Sequence, residues 1–358
     1  MRVCILGYGL SSLTLAKALV NQNVYVELLS QKKNLKIGQS RTLGISKSNI
    51  NFFKTNILNI EKLLWKLKKI EIFSDNLKDE KLLNFEKNDD QIFSIIKNHE
   101  LHQALEKDLV KSKFFKKKYL KGINLPILKD YNLIINCNYF YNFTNKYFGK
   151  KIIKEYDSIA YTTVIGHEEI LNNTATQIFT KKGPLAFLPI SNKKTSIVYS
   201  VHNSGEKVKD INELIQKYNF KYKINKINKI ENFELRSLNL RSYYHNNILA
   251  FGDLLHKIHP LAGQGFNMTI RDIKVLIKII KNKLDLGLQL DSSVNKEFEK
   301  NVKYKNFIFS NGIDLIHEIF NFERKTKNTG LSKSIQFLGK NYSTNKLFMK
   351  IADEGIFF

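Results

Sequence analysis

Cysteine is scarce in this chain, which has two among its 358 residues. Cys4 and Cys137 both lie in apolar segments with the composition of buried strands. Two cysteines are too few for a disulfide framework or a zinc site. We therefore expect a protein of the reducing cytoplasm that binds no metal.

Long apolar runs are also lacking. No uninterrupted apolar stretch approaches the roughly 18 residues that a membrane helix requires, and a lysine breaks even the segment 275–280. Residues 1–20 combine a basic residue with an apolar stretch, as a signal peptide does, but Gly7-Tyr8-Gly9 interrupts them and fits a nucleotide-binding loop better. Any contact with the cytoplasmic membrane is therefore predicted to be peripheral.

Acidic residues are few beside basic ones, 33 against 58, which leaves a net charge of +25. Such an excess fits a nucleic-acid surface, an anionic membrane surface, or a coding bias toward Lys, Asn and Ile. The lysines are scattered among many asparagines and isoleucines, which favours the coding bias, with attraction to the inner membrane as a consequence. The basic run at 116–118 is short and no nucleic-acid-binding motif accompanies it, so we expect no nucleic-acid partner.

The stretch that says most about function is 248–276. An apolar run ends at Gly252-Asp253, and a loop with two glycines leads into a segment whose apolar residues recur at helical spacing, which predicts strand, loop and helix. Gly263 and Gly265 leave backbone N–H groups uncovered where the helix begins, and Asp253 can accept hydrogen bonds from ligand hydroxyls. Glycines that only form a turn are the alternative, but these features in one connection favour a ligand site.

At these residues the sequence resembles the second flavin motif of the FAD-dependent aromatic hydroxylases, in particular the ubiquinone-biosynthesis branch. The matching residues are Gly252, Asp253, His259, Pro260, Ala262 to Asn267, Arg271 and Asp272. The resemblance implies that Asp253 binds the ribityl chain and that Pro260, Gly263, Gln264 and Gly265 line the isoalloxazine ring. It also implies an α/β fold like that of para-hydroxybenzoate hydroxylase, with a parallel-sheet, Rossmann-like FAD-binding domain, an antiparallel-sheet substrate domain and C-terminal helices.

The N-terminal segment has the pattern of a βαβ dinucleotide fingerprint, with two departures. Gly7 and Gly9 are present, but Ser12 replaces the third glycine. The acidic residue that should hold the adenosine ribose is missing at the end of the second strand, because Glu27 lies in mid-strand. We predict Ser30 at the ribose instead.

Three further segments resemble parts of the family's cofactor site. Arg41 begins a segment similar to Arg-x-x-Ala-Leu-Ser, and Asn98 opens a helix whose family counterpart can touch the cofactor. The family's Ala-Asp-Gly after a later strand reads Cys137-Asn138-Tyr139 here, which puts the pyridine-nucleotide step in doubt. The predicted cofactor-binding residues are Gly7, Gly9, Leu10, Ser12, Ser30, Arg41, Asn98, Gly252, Asp253, Pro260, Gly263, Gln264, Gly265, Phe266 and Asn267.

Residues 159–201 alternate with turns in the manner of antiparallel strands. The segment 183–189 resembles the family strand that faces the substrate, which implies substrate contacts for Leu185, Phe187 and Pro189, although ordinary strand core explains them equally. We expect an FAD-binding domain at 1–66, 94–150 and 246–285, a substrate domain at 67–93 and 151–245, and a C-terminal helical region at 286–358.

The resemblance implies a monooxygenase that hydroxylates a polyprenylated phenol or quinone precursor for ubiquinone. NAD(P)H reduces FAD, O₂ adds at flavin C4a, and the hydroperoxide transfers OH; other quinone-biosynthesis proteins are expected partners. No side chain is identified as catalytic, because the flavin carries the chemistry. Two alternatives stay open: a related flavoprotein that acts on another lipid, for example by reducing a prenyl chain, and a non-catalytic member that binds a quinone precursor or scaffolds partners.

Overall fold

The structure is a computed structural model that describes residues 2–31, 37–77, 80–86, 91–138, 142–202, 211–259, 263–326 and 329–355. Its strands are β1 (Arg2–Leu6), β2 (Tyr25–Ser30), β3 (Thr42–Ser46), β4 (Trp65–Leu67), β5 (Lys69–Ser74), β6 (Lys81–Glu86), β7 (Phe93–Lys97), β8 (Phe115–Tyr119), β9 (Leu133–Asn136), β10 (Lys151–His167), β11 (Thr174–Thr180), β12 (Gly183–Ser191), β13 (Lys194–His202), β14 (Ile224–Ile227), β15 (Glu231–Leu240), β16 (Tyr244–His245), β17 (Ile248–Ala250) and β18 (His256–Lys257). Its helices are α1 (Leu10–Val20), α2 (Lys47–Asn56), α3 (Asn98–Leu109), α4 (Asn142–Tyr147), α5 (Ile211–Lys217), α6 (Gln264–Asp285), α7 (Ser292–Thr326), α8 (Gly330–Lys340) and α9 (Tyr342–Glu354).

The first sheet is parallel except at one edge, with strand order β16-β17-β9-β1-β2-β8. Strand β1 pairs in parallel with β2 and β9, and only the short β16 runs antiparallel, against β17. The apolar run Val3 to Leu6 is fully buried, as expected for a strand covered on both faces. The predicted βαβ unit is thus present, and its first loop opens at the carboxyl end of β1.

The second sheet has nine strands, in the order β18-β15-β10-β13-β12-β11-β5-β6 with β14 beside β10. It is antiparallel except where β11 pairs with β5. One face packs on α5, where Leu185, Phe187 and Tyr199 join a buried core. The other face carries Leu188 against Phe93 of the small sheet β3-β7-β4. This second face is the one that approaches the first sheet's loops.

Two boundaries of helices are set by side-chain hydrogen bonds and strand pairing. Helix α2 ends at Asn56, and Trp65 lies in β4, where its indole N–H donates to the Asn172 carbonyl at 2.6 Å. The predicted C-terminal helical region divides between α8 and α9 at Asn341, whose side chain caps α9 by accepting hydrogen bonds from the backbone N–H of Ser343 and Thr344.

The fold class predicted from the sequence is confirmed, with a parallel sheet, an antiparallel sheet and C-terminal helices. In the parts of the chain that the structure describes, no helix is both long and apolar enough to cross a bilayer.

Candidate functional site

The first loop of the site follows β1. A side chain at Gly7, whose φ is +115°, would place its Cβ 3.1 Å from Ser12 Oγ, so the turn itself needs this glycine. Gly9 differs, because its φ of −81° suits any residue and no atom lies within 4 Å of where a Cβ would stand. The fold does not need glycine at this position. The open space lies beside the N-terminus of α1, where backbone N–H groups favour phosphate.

The second loop lies directly against the first. Gly252 has a φ of +62°, and an added Cβ would come within 2.8 Å of the Ser11 Cβ in the first turn of α1. Asp253 follows it and is exposed. The connection predicted from Gly252-Asp253 therefore meets the dinucleotide loop, although most of the chain separates the two in sequence.

A group of charges surrounds this junction. Burial lowers the pKa of Lys257, Asp253 opposes that effect, and Arg236 and Arg41 reinforce it. These side chains are thus close enough to act on one another. An anionic ligand that also carries hydroxyls would find both cations and a carboxylate acceptor here.

The N-terminus of α6 is fixed by Asn267. Its side-chain oxygen accepts hydrogen bonds from Ser46 N at 3.0 Å and Asn49 Nδ2 at 2.9 Å, and its Nδ2 donates to the carbonyls of Gly44 at 3.0 Å and Gly263 at 3.2 Å. Gly263, the N-cap, has a φ of +63° and no side chain with which to cap the helix. The Asn267 amide is therefore committed to the protein, while first-turn N–H groups of α6 are left for a ligand.

Two buried polar atoms fit a cofactor that forms hydrogen bonds. The side-chain oxygens of Asn98 and Gln264 are buried and have no hydrogen-bond partner among the described residues. Both positions were predicted to bind FAD, and the Asn98 N–H donates to the Arg41 carbonyl at 3.0 Å, which brings a third predicted residue alongside. Because buried polar groups are normally paired, a hydrogen-bonding ligand would account for both oxygens.

The remaining predicted cofactor residues are Leu10, Ser30, Pro260, Gly265 and Phe266. Leu10 begins α1, and Ser30 ends β2 with its side chain buried. Phe266 is buried and packs on Phe53, with ring centroids 6.4 Å apart, so only its backbone is available. Pro260 lies outside the described residues, and Gly265 has only an Ile258 carbon, 4.0 Å away, beside the position of a Cβ.

Glu27 is bound within the protein. It accepts hydrogen bonds from Lys118 Nζ at 2.9 Å and from the Tyr131 hydroxyl. Burial raises the pKa of this carboxyl, but the two hydrogen bonds together with the charges of Lys118 and Arg2 outweigh burial and lower the pKa overall. These partners account for an acidic residue in mid-strand without any ribose.

The predicted substrate residues lie on the face of β12 that packs against α5. Leu185 and Phe187 lie in the core under α5, and Pro189 is buried on the same face of β12. Because side chains alternate along a strand, Pro184, Ala186 and Leu188 take the opposite face, toward β7. The strand lies where the sequence predicted it, and the substrate contacts of its three buried residues stay a prediction.

A cavity of about 450 Å³ lies on the site-facing side of the sheet, between its strands and α7. Its lining includes Ser158, Phe179, Pro184, His202, His317 and Phe320. The cavity is large enough for one aromatic ring, and most of the residues that line it are polar, with Phe179, Pro184 and Phe320 as its apolar part.

A buried aromatic cluster extends from this cavity to His259, which precedes the loop predicted to line the flavin ring. The His317 ring lies 4.6 Å from the His259 ring and 5.0 Å from the Tyr156 ring, and the Tyr156 hydroxyl donates to Asp314. His259 directly precedes Pro260, is 1% exposed, and has no hydrogen-bond partner among the described residues for either ring nitrogen. Burial, reinforced by His317, lowers the pKa of His259 to about 3, so its imidazole is neutral.

Sequence reasoning missed His317 and Tyr156. A single histidine in a long helix and a tyrosine in a strand carry no motif, and only the fold brings them to His259. The adjacency of His259 to Pro260 was the one available signal.

Comparison with known proteins agrees with this geometry. A family profile described as "FAD binding domain" matches residues 170–285. Over 155 residues the chain is 30% identical to 3-demethoxyubiquinol 3-hydroxylase of Escherichia coli (strain K12), a match that covers 40% of this chain and 39% of that protein. Over 199 residues it is 23% identical to the mitochondrial ubiquinone biosynthesis monooxygenase COQ6 of Drosophila melanogaster, with 44% and 42% covered. The chain is therefore similar, over part of its length, to an FAD-binding domain family and to monooxygenases of ubiquinone biosynthesis.

The matches span about two fifths of the length of these curated hydroxylase relatives. The fold agreement extends further. A variant of Klebsiella pneumoniae HpxO, solved in complex with FAD, superposes with a TM-score of 0.76 at 10% identity and covers 99% of each chain. At that identity the likeness shows the fold alone.

Proposed function

We propose that this chain is an FAD-dependent monooxygenase that hydroxylates the aromatic ring of a polyprenylated phenol in ubiquinone biosynthesis, with NAD(P)H and O₂ as co-substrates. The observation that carries the proposal is the meeting of the two glycine loops at Gly252 and Ser11. The buried, unpartnered side-chain oxygens of Asn98 and Gln264, at two further predicted cofactor positions, support it. The printed names of the E. coli and Drosophila relatives support the substrate class.

FAD, when bound, would supply the oxygen-transfer chemistry. The chain's contribution is to bind and orient it. The space at Gly9 and the N-terminus of α1 suit the pyrophosphate, and Asp253 suits the ribityl hydroxyls. The N-terminus of α6 would stabilise negative charge on the ring system, and the side-chain oxygens of Asn98 and Gln264 would accept hydrogen bonds from the cofactor.

The substrate ring would occupy the cavity beside α7, against the face of β12 that carries Pro184, Ala186 and Leu188. His317 would form a hydrogen bond with the phenol hydroxyl, because its ring lies in the cavity wall and is held by its contacts with Tyr156 and His259. The low pKa of His259 keeps a positive charge away from this wall. The rings of His317, Tyr156 and His259 would then exclude water from the reacting ring.

Asp253→Ala is expected to weaken FAD binding by about 10-fold to 100-fold, because hydrogen bonds to a charged acceptor contribute about 1.5–3 kcal/mol. Titration of the purified apoprotein, followed by the flavin absorption band, measures this. The matched control is Asp285→Ala, which removes an exposed aspartate at the far end of α6 and should leave FAD affinity unchanged. Equal affinities for both variants would mean that Asp253 does not contact FAD.

The same spectrum tests the proposed reaction. The yellow band should bleach with NAD(P)H and return in air. A wild-type protein that remains colourless with excess FAD would contradict the proposal, and one that binds FAD but resists reduction would favour the non-catalytic alternative motivated by Ser30 and Asn138.

His317→Phe is expected to reduce hydroxylation about tenfold or more, since phenylalanine keeps the ring contacts but removes one hydrogen bond, while FAD binding is retained. Cells that carry this variant in place of the native chain should accumulate an under-hydroxylated quinone precursor, measured by mass spectrometry. His317→Asn, which keeps a polar nitrogen, should restore part of the activity. If His317→Phe is as active as the native chain, the hydrogen-bonding role assigned to His317 is wrong.

A further inference from the structure

The outer side of α7 carries an apolar stripe. Tyr304, Phe307, Leu315 and Phe322 are 68%, 45%, 61% and 55% exposed. Their spacing places them along one side of a helix with 3.6 residues per turn, and 18 residues from first to last span about 27 Å. Exposed apolar stripes of this length on a folded protein indicate contact with a partner or a membrane.

A groove of about 780 Å³ adjoins the stripe at its N-terminal part. Tyr304 and Phe307 form part of its wall, and Ile152, itself 42% exposed, faces them from β10. The groove is therefore continuous with the stripe, and the two together are called the α7 face. None of its lining residues belongs to the candidate site.

The groove is strongly basic. Arg241, Lys296, Lys300 and Lys303 line it, and Glu299 is the one carboxylate among the described lining residues. That carboxylate is already engaged, because it accepts hydrogen bonds from Tyr243 N at 2.7 Å and Lys303 Nζ at 2.9 Å. The occupant that this surface fits has an apolar part and a negative charge.

Asn239 adds a buried polar side chain to the wall of the groove. Asn239 lines the groove and is 9% exposed, and its side-chain oxygen has no hydrogen-bond partner in the described part of the chain. Its amide nitrogen donates to Ser310 Oγ at 2.8 Å, so the oxygen has a fixed position from which to accept a hydrogen bond.

We propose that the α7 face binds the surface of a bilayer that contains acidic phospholipid, with the headgroup in the basic groove and the stripe among the acyl chains. Charge decides between this occupant and a second copy of the chain, because copies that each carry a net charge of +25 repel one another whereas an anionic bilayer attracts them. Glu318 beside the stripe does not oppose this, since Lys154 pairs with it at 2.9 Å. The binding does not depend on the reaction proposed above.

Vesicle co-sedimentation of the FAD-loaded full chain tests the proposal. The protein should bind phosphatidylcholine vesicles that contain phosphatidylglycerol at least about tenfold more tightly than vesicles of phosphatidylcholine alone, and added salt should weaken the binding. Leu315→Glu with Phe322→Glu, and separately Lys296→Glu with Lys300→Glu, should each weaken binding to the acidic vesicles at least about tenfold.

Matched controls lie on other surfaces. Leu171→Glu with Phe220→Glu changes two side chains that are 80% and 65% exposed, and Lys194→Glu with Lys226→Glu reverses two exposed lysines in β13 and β14. Both control pairs should retain vesicle binding and the circular dichroism spectrum of the native chain. Equal loss in the controls would show that general charge or apolarity, not the α7 face, governs binding.

Three results would overturn the proposal. The first is equal affinity for both kinds of vesicle. The second is a stripe variant that changes the oligomeric state in sedimentation velocity while vesicle binding is kept, which would assign the stripe to a second copy. The third is displacement of the bound protein by glycerol 3-phosphate at concentrations that leave the ionic strength unchanged, which would assign the groove to a soluble phosphate.

Discussion

Gly252→Ala is expected to weaken FAD binding by about 100-fold while the chain still folds. The new methyl group would stand 2.8 Å from the Ser11 Cβ, so either this loop or the first turn of α1 must move. A shift of that kind misaligns Asp253 with the dinucleotide loop. Isothermal titration of apoprotein with FAD measures the loss.

Gly287→Ala provides the matched control. Gly287 has a φ of +69°, close to that of Gly252, but no atom lies within 4 Å of its added Cβ. Both variants bear the cost of a left-handed backbone conformation, about 1–2 kcal/mol, and only Gly252→Ala adds the collision. If the two variants bind FAD equally well, contact between the loops is not required for the cofactor.

Asp272→Ala is expected to lower the free energy of unfolding by about 2–5 kcal/mol, because it leaves two buried hydrogen-bonding groups unpaired and each such group costs about 1–3 kcal/mol. Asp272 is 1% exposed, His256 Nε2 lies 2.5 Å from one of its oxygens, and Asn306 Nδ2 donates to the other at 2.9 Å. The substitution leaves both partners buried and unpaired. These contacts join β18, α6 and α7. Urea unfolding followed by circular dichroism should therefore show a single transition, at a lower urea concentration than in the native chain.

Asp285→Ala on the same helix is the control for that measurement. This aspartate is exposed, and its loss should change the free energy of unfolding by no more than about 0.5 kcal/mol. A loss below about 1 kcal/mol for Asp272→Ala would mean that the buried network contributes little to stability.

Local patterns account for what the sequence predicted well. The apolar run of β1, the Gly7-x-Gly9 loop and the glycines before α6 each specify their structure within a few residues, and a resemblance linked the two loops across the chain. Neighbours in sequence that lie together in one loop, such as Gly252 and Asp253, could therefore be predicted.

Contacts between distant parts of the chain determine the features that the sequence does not specify. Alternation along β12 shows that Leu185 and Phe187 share a face, but not which face α5 covers. The partners of Glu27 are Lys118 and Tyr131, which are distant from it in the sequence, and the contact between His259 and His317 requires α7 to cross the sheet. No spacing rule carries such information.

The last helix also touches the site. The backbone N–H of Ser48, in the first turn of α2, donates to the Asp353 carboxylate at 2.8 Å, and Gln264 Nε2 donates to the Ala352 carbonyl at 3.1 Å. The βαβ unit therefore leaves the ribosome long before these hydrogen bonds can form, because Ser48 and Asp353 are about 300 residues apart in the sequence. During synthesis the hydrogen bonds from α9 to Ser48 and Gln264 can form only after α9 has been made, so this part of the candidate site is completed late.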